Sequence, residues 1–376
     1  MNKNNLRALF GVSALALLLV SMPVLAAEVD VTGENVMTGA NSDNNNDFDI
    51  DNDGDVAVNN VGTAANSASA AVNTGGNDQN QNTTGGDLET GTVDASTDWE
   101  SVVNAGAGLC GCPIGDEDTE ITADFSNKLT GFNSDNENEL DVDMDGDMTV
   151  NNIATIANAL GLTANTGDNN QNKNTTAGDM ETGDVMLDSM IANWANSSNG
   201  GHSSHSGNSL VIDVKASNHL TGANSDNDND VDVDADGDTN VNNTAVITNS
   251  VAVNANTGGN NQNQNTTAGS LKTGKVDVST NVENVANSGA CACPVGKNLE
   301  VKADLSNDTT GSASDNDNDV DVDADGDTTV NNTAVVSNDL NVAANTGDNN
   351  QNQNTSGGDV ETGDVSINFN VSNEIN

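Results

Sequence analysis

The chain contains no tyrosine, and only five phenylalanines and two tryptophans among 376 residues. Its apolar residues are mostly Val and Ala, whose burial yields little per residue at ~25 cal/mol per Å². A conventional globular core is therefore hard to build, and stability has to come from regular backbone pairing and stacked identical side chains. Basic residues are scarce as well, with nine Lys and Arg against 58 Asp and Glu. A chain this acidic repels nucleic acid and anionic membrane, and it attracts cations. With three His, no Ser-His-Asp or Cys-His pairing is suggested, and there is no phosphate-cradling Gly loop. Carboxylates abound but are repetitive, whereas acid–base catalysis needs pKa values driven apart by distinct environments. The expectation is that the protein is not an enzyme.

Long apolar runs are also missing after the first residues. Lys3 and Arg7 precede an apolar stretch from Ala8 to Met22, and Pro23-Val-Leu-Ala-Ala27 offers small residues for cleavage. Residues 1–27 read as a secretory signal peptide; as a membrane anchor the run falls short of the ~20 residues a span needs. The expected location is therefore secreted, extracellular or at the cell surface, without membrane insertion. Removing the leader leaves seven basic residues against 58 acidic ones, a net charge of −51. Such a composition with 2% aromatics usually signals disorder. A strict two-residue alternation argues otherwise, and a chain that folds once cations neutralise it satisfies both observations.

That alternation is clearest in Asp230-Val-Asp-Val-Asp-Ala-Asp-Gly-Asp238, whose register runs on to Asn256. Apolar residues hold one parity and acids the other, which is one small apolar face and one carboxylate face of a β-strand. The stretch occurs four times. Thr-Gly recurs at Thr38, Thr130, Thr221 and Thr310, Asn-Thr-Gly with its Thr at 74, 166, 257 and 346, and a further Thr-Gly at Thr90, Thr182, Thr273 and Thr362. Each series steps by 92, 91 and 89 residues. After the leader the chain thus divides into four repeats, 28–112, 113–206, 207–294 and 295–376. Each has a lead-in strand, a polar patch, the acidic strand, an Asn-Thr-Gly turn whose Gly permits positive φ, an Asn/Gln run and a last alternating strand.

Asn interrupts the apolar parity at Asn60, Asn152, Asn243 and Asn332, and again at Asn66, Asn158, Asn249 and Asn338. An inward Asn is costly unless its amide is bonded, and equivalent Asn residues stacked on one another form an amide ladder, usually at a bend. The fold class expected is all-β, a β-solenoid or stacked β-arch structure, with tandem β-sandwich domains as the alternative. Marker spacings near multiples of 18 suggest coils of about that length, making a rod of ~95 Å at the inter-strand spacing; one rung per unit is the other version.

Five acids align in each repeat: Asp47, Asp49, Asp51, Asp53 and Asp55; Glu139, Asp141, Asp143, Asp145 and Asp147; Asp230, Asp232, Asp234, Asp236 and Asp238; Asp319, Asp321, Asp323, Asp325 and Asp327. Stacked at ~4.8 Å, each neighbouring pair would repel by ~3.5 kcal/mol at an effective dielectric of 20. Ca²⁺ is the expected counter-ion, a hard cation that takes six to eight oxygens. Asp232-Val-Asp-Ala-Asp-Gly237 is spelled like the start of an EF-hand loop, yet Asn243 stands where its Glu would be and no helices flank it. The alternative is a solvated acidic face that keeps a fibre soluble.

Cys110 and Cys112, and Cys291 and Cys293, stand in two Cys-x-Cys-Pro motifs at repeat junctions. In a secreted chain disulfides are the default, with three connectivities open; linkage between subunits and a four-thiolate metal site are alternatives. His202 and His205 sit in a Gly/Ser-rich junction read as an exposed loop. The sequons at Asn82, Asn174, Asn265 and Asn354 recur with the repeat and read as ladder residues.

Thr221-Gly-Ala-Asn-Ser225, Ala255-Asn-Thr-Gly-Gly-Asn260 and Thr273-Gly-Lys-Val276 resemble the phrases of secreted, Asn-rich bacterial repeat proteins, and the resemblance spans most of the mature chain. It extends loosely to curli-type fibre subunits, which stack Asn/Gln-rich repeats at a different spacing, and implies a surface or fibre protein. Val365-Ser-Ile-Asn-Phe-Asn-Val371 alternates without Pro or Lys to blunt its edge, inviting a further subunit. The expected function is a calcium-stabilised structural subunit of an extracellular fibre, sheath or matrix, with itself and divalent cations as partners. A monomeric adhesin or cation-sequestering module is the alternative. Ice binding lacks a regular Thr-x-Thr face.

Overall fold

The computed structural model describes residues 6–16, 28–51, 55–104, 119–144, 147–197, 209–288 and 298–376. All regular structure among them is β. Five strands recur in each repeat. The first repeat has β2 (Glu28–Val36), β3 (Asp43–Asp51), β4 (Val56–Asn73), β5 (Leu88–Glu89) and β6 (Val93–Val103). The second has β7 (Thr119–Lys128), β8 (Asp135–Asp143), β9 (Met148–Asn165), β10 (Met180–Glu181) and β11 (Val185–Ala195). The third has β12 (Ser209–His219), β13 (Asp226–Asp234), β14 (Thr239–Asn256), β15 (Leu271–Lys272) and β16 (Val276–Ala286). The fourth has β17 (Asn298–Asp308), β18 (Asp317–Asp323), β19 (Thr328–Asn345), β20 (Val360–Glu361) and β21 (Val365–Ile375). One further strand, β1 (Leu6–Ala16), precedes the four repeats.

Among the described residues no strand pairs within its own repeat. Each pairs in parallel with its counterparts, giving sheets ordered β17-β12-β7-β2, β18-β13-β8-β3, β19-β14-β9-β4, β20-β15-β10-β5 and β1-β6-β11-β16-β21. Residues meet their own equivalents, as in Asn66↔Asn158↔Asn249↔Asn338. The architecture is a stacked β-solenoid in which each repeat is one rung of about 91 residues. It replaces the 18-residue coils and the long rod they would build, and equally the tandem sandwiches. Four rungs span only about 14 Å between outer backbones at the parallel strand spacing, so the molecule is a broad plate with two large faces. The marker spacings near 18 reflect distances around one rung, not successive coils.

The apolar parity packs inward in two places. Ile121, Ala123 and Phe125 of the lead-in strand meet Leu140 and Val142 of the acidic strand, with Ile212, Val214, Val231 and Val233 above them. Farther along, Leu160 and Leu162 pack on Val185, Leu187 and Ile191, and Val251 and Val253 on Val276 and Val278. Each inward row sets counterparts one above another, although the type varies, as in Gly33, Phe125, Ala216 and Leu305. Phe48 also stacks on Phe125 of the next rung at 6.2 Å, although their register partners are Leu140 and Gly33.

The acidic strand does not run unbroken from Asp230 to Asn256. It ends at Asp234 and resumes at Thr239. In the interval the pairing is carried partly by carboxylates: Asp236 accepts the Asp325 N–H at 3.0 Å and Asp238 the Asp327 N–H at 2.9 Å. The inward Asn residues, expected at bends, lie instead within the resumed 18-residue strand.

The Asn-Thr-Gly turn also differs in detail. Positive φ falls one residue later, at Gly76, Asp168, Gly259 and Asp348. The Gly of the motif is needed for close approach, since a Cβ on Gly258 would strike the carbonyl oxygen of Gly347 in the rung above. Gly258→Ala should therefore cost roughly 1–3 kcal/mol through overpacking, read as a lower urea midpoint with an unchanged slope. Gly347 faces the open side, where such a Cβ meets only the Asn345 side chain at 3.7 Å. Gly347→Ala should leave the stability of a single copy unchanged.

Candidate functional site

Two features offer chemistry: the rows of acids and the two faces of the stack. On β3, β8, β13 and β18 the register places Asp47, Glu139, Asp230 and Asp319 in one column. Asp49, Asp141, Asp232 and Asp321 form the next, and Asp51, Asp143, Asp234 and Asp323 the third. The fourth and fifth acids stand in the segment between strands. There Asp147 accepts from Asp238 N–H at 3.0 Å, and Asp55 from Asp147 N–H at 3.2 Å. Asp53 and Asp145 lie outside the described residues, as do Cys110, Cys112, Cys291, Cys293, His202 and His205.

Strain falls on particular acids of the first two columns. The carboxyls of Glu139, Asp141 and Asp230 titrate above their ordinary range. Burial disfavours the charged form first, and acids above, below and beside them then repel. Glu137 and Asp228 shift the same way for the same reasons. They belong to a further column, Asn45, Glu137, Asp228 and Asp317, which lies within the polar patch of the sequence. Its signal is the acidic parity, which these residues keep two positions earlier. The ion pairs of Lys128, Lys272, Lys275 and Lys302 are with Glu34, Glu181, Asp364 and Glu300, outside the columns. Among the described residues no three or more His, Cys, Asp or Glu side chains converge as a metal cage does. The acids form open rows along the stack.

Inside, Asn replaces charge. Asn60, Asn152, Asn243 and Asn332 are joined by amide bonds of 2.8, 2.7 and 2.8 Å. Asn66, Asn158, Asn249 and Asn338 are joined at 2.9, 2.8 and 2.8 Å. Further ladders add to the sequence reading, among them Asn46, Asn138, Asn229 and Asn318. A second runs Asn44, Asn136, Asn227 and Asn316, and a third Asn104, Asn196 and Asn287, whose amides also tie the ends of β6, β11 and β16 to β4, β9 and β14. Recurrence at the same 92, 91 and 89 residues is the signal that finds them. The sequon residues Asn174 and Asn265 are 2% exposed, and the Oδ1 of each accepts from a backbone N–H of the rung below. Gln171 and Gln262 stack amide on amide at 2.7 Å.

The faces differ. On the rung-4 side Val320, Val322, Val365, Ile367, Phe369 and Val371 are 40–45% exposed, whereas their rung-3 equivalents Val231, Val233, Val276, Val278, Thr280 and Val282 are at most 2% exposed. On the rung-1 side Phe48 is 41% exposed, but Val93, Trp99 and Val103 are wholly buried because β1 lies along β6. Comparison with protein-family models, with curated proteins and with solved structures found no match.

Proposed function

We propose that the chain is a secreted structural subunit of an extracellular fibre, sheath or matrix, built by stacking rungs of one copy on rungs of another. The observation that carries this reading is the inward apolar row of rung 4, buried in every interior rung and open at the end. A face of aligned Val, Ile and Phe beside unpaired strand edges matches another rung and little else. The strands of rung 4 lack Pro and free Lys as edge protection: β17–β21 contain no Pro, and their one Lys, Lys302, pairs with Glu300 at 3.0 Å, which leaves the acids as their only charged guard. Stacking would lengthen each acid column, so assembly calls for cations along the rows, and Ca²⁺ suits carboxylate oxygens best.

The open rows favour a second reading, a monomeric acidic module that sequesters divalent cations. Electron microscopy and sedimentation of the secreted protein, with calcium and with chelator, separate the two. Fibres with a ~4.8 Å repeat along their axis are expected. A protein that remains monomeric with calcium at every concentration would overturn the fibre and favour sequestration.

A further inference from the structure

We propose that the joint between copies is head-to-tail and in register, with rung 4 of one copy on rung 1 of the next, and that β1 occupies this joint until the leader is removed. This rests on the self-association proposed above and adds its polarity, its register and its guard.

Polarity comes from the ladders. From Asn66 to Asn338 every Nδ2 donates toward the rung of higher number. The first member is left with a buried Oδ1 that has no partner, and Asn66 itself is only 4% exposed. The last member, Asn338, meets only Asn373 Oδ1 at 3.4 Å with its outward Nδ2. This ladder therefore ends in an acceptor at rung 1 and a donor at rung 4, and the Gln79–Gln171–Gln262–Gln351 stack, which runs the other way, is equally directional. Placing rung 4 on rung 1 joins acceptor to donor. Placing two rung-1 faces together sets oxygen against oxygen.

The glycines agree. A Cβ on Gly167 or Gly258 would strike the next rung, and one on Gly131, Gly222 or Gly311 the rung before. In a single copy the terminal members are free of this demand: Gly39 has nothing within 4 Å and Gly347 only the Asn345 side chain. Both are nevertheless Gly. A copy stacked in register restores the demand at both positions, setting Gly347 against Gly75 and Gly39 against Gly311 of its neighbour.

The guard is β1. Leu6 pairs with Val93 in parallel, and Val276 with Val365 in the same manner. Leu6–Ala16 thus lies where Val365–Ile375 of a preceding copy would lie. Two strands cannot share that edge, so occupation of one sheet of the five blocks the whole face.

The test uses the chain from Glu28, which keeps every strand of the four rungs, in Gly39→Ala and Gly347→Ala forms. Each variant alone should keep the wild-type melting temperature while its critical concentration for growth rises roughly 10–100-fold. An equimolar mixture should form dimers and nothing longer, because only the Gly39 face of one variant and the Gly347 face of the other remain usable. Homodimers of either variant, or growth like wild type, would overturn the head-to-tail joint while wild-type fibres still upheld self-association. Failure of wild type to associate would instead remove the fibre reading. The full chain with residues 1–27 should not elongate at its rung-1 face until the leader is cut; equal growth at both ends before cutting would overturn the guard.

Discussion

Asn249→Leu should lower the unfolding free energy by roughly 2–6 kcal/mol, since four amide hydrogen bonds are lost together at ~0.5–1.5 kcal/mol each. Asn249 accepts from Asn158 at 2.8 Å and Asn193 at 3.1 Å, and donates to Asn338 at 2.8 Å and Asn284 at 3.0 Å. Leu fills the volume but removes all four bonds, leaving Asn158, Asn193 and Asn284 to donate onward to Asn193, Asn284 and Asn338. Set against a typical domain stability of ~5–15 kcal/mol, that loss is large, and denaturant titration reads it directly. Asn242 provides the control. It stands on the outer face, where it donates to Asn151 at 3.0 Å within reach of water, and Asn242→Ala should cost less than ~1 kcal/mol. Equal losses at the two positions would mean that the inward ladder holds no special share of the stability.

Acidification should raise the melting temperature, the reverse of what most proteins show. The sign follows from Glu137, Glu139, Asp141, Asp228 and Asp230, whose folded carboxyls titrate above their ordinary values of 4.5 for Glu and 3.8 for Asp. A group raised on folding binds its proton more tightly in the native state. Its contribution is complete below the unfolded value and is lost as pH rises through the folded one. Melting by circular dichroism should therefore improve from neutral pH down toward the ordinary Glu value of 4.5, with light scattering recorded in parallel. Millimolar calcium should give most of the same gain at neutral pH and little below it. Replacing Glu139, Asp141 and Asp230 by Gln and Asn should raise the neutral melting temperature and flatten both responses. A melting temperature that falls steadily on acidification, or that ignores calcium at neutral pH, would show that the rows are adequately solvated and need no counter-ion.

Much of the molecule is legible in its amino-acid order. The period of two in Asp230–Asp238 dictates a strand, because a 3.6-residue turn would scatter the acids. The steps of 92, 91 and 89 residues dictate repetition, and the inward Asn at 60 and 66 implies stacking, since an isolated buried amide is too costly. Less legible are the ladders at Asn44 and Asn104 and the acid column through Glu137. They stand where polar residues crowd together, and alternation loses contrast when both faces are hydrophilic. The role of Gly258 is hidden for a related reason: local rules supply a dihedral preference, whereas the constraint is a carbonyl from a residue 89 positions away.

By itself the sequence determined that the chain is β, that it repeats, and that one face of its acidic strand carries charge. Those properties follow from local periodicity and composition. Only the tertiary structure decided that each repeat is a single rung, because register is a relation between distant strands and a period of two is compatible with coils of several lengths. The tertiary structure alone also showed the two faces to be unlike, one ending in an unpaired amide oxygen and covered by Leu6–Ala16, the other open. Parallel stacking makes them so, since each inward Asn ladder keeps one direction from the first rung to the last, and direction along the stack is invisible in any one repeat.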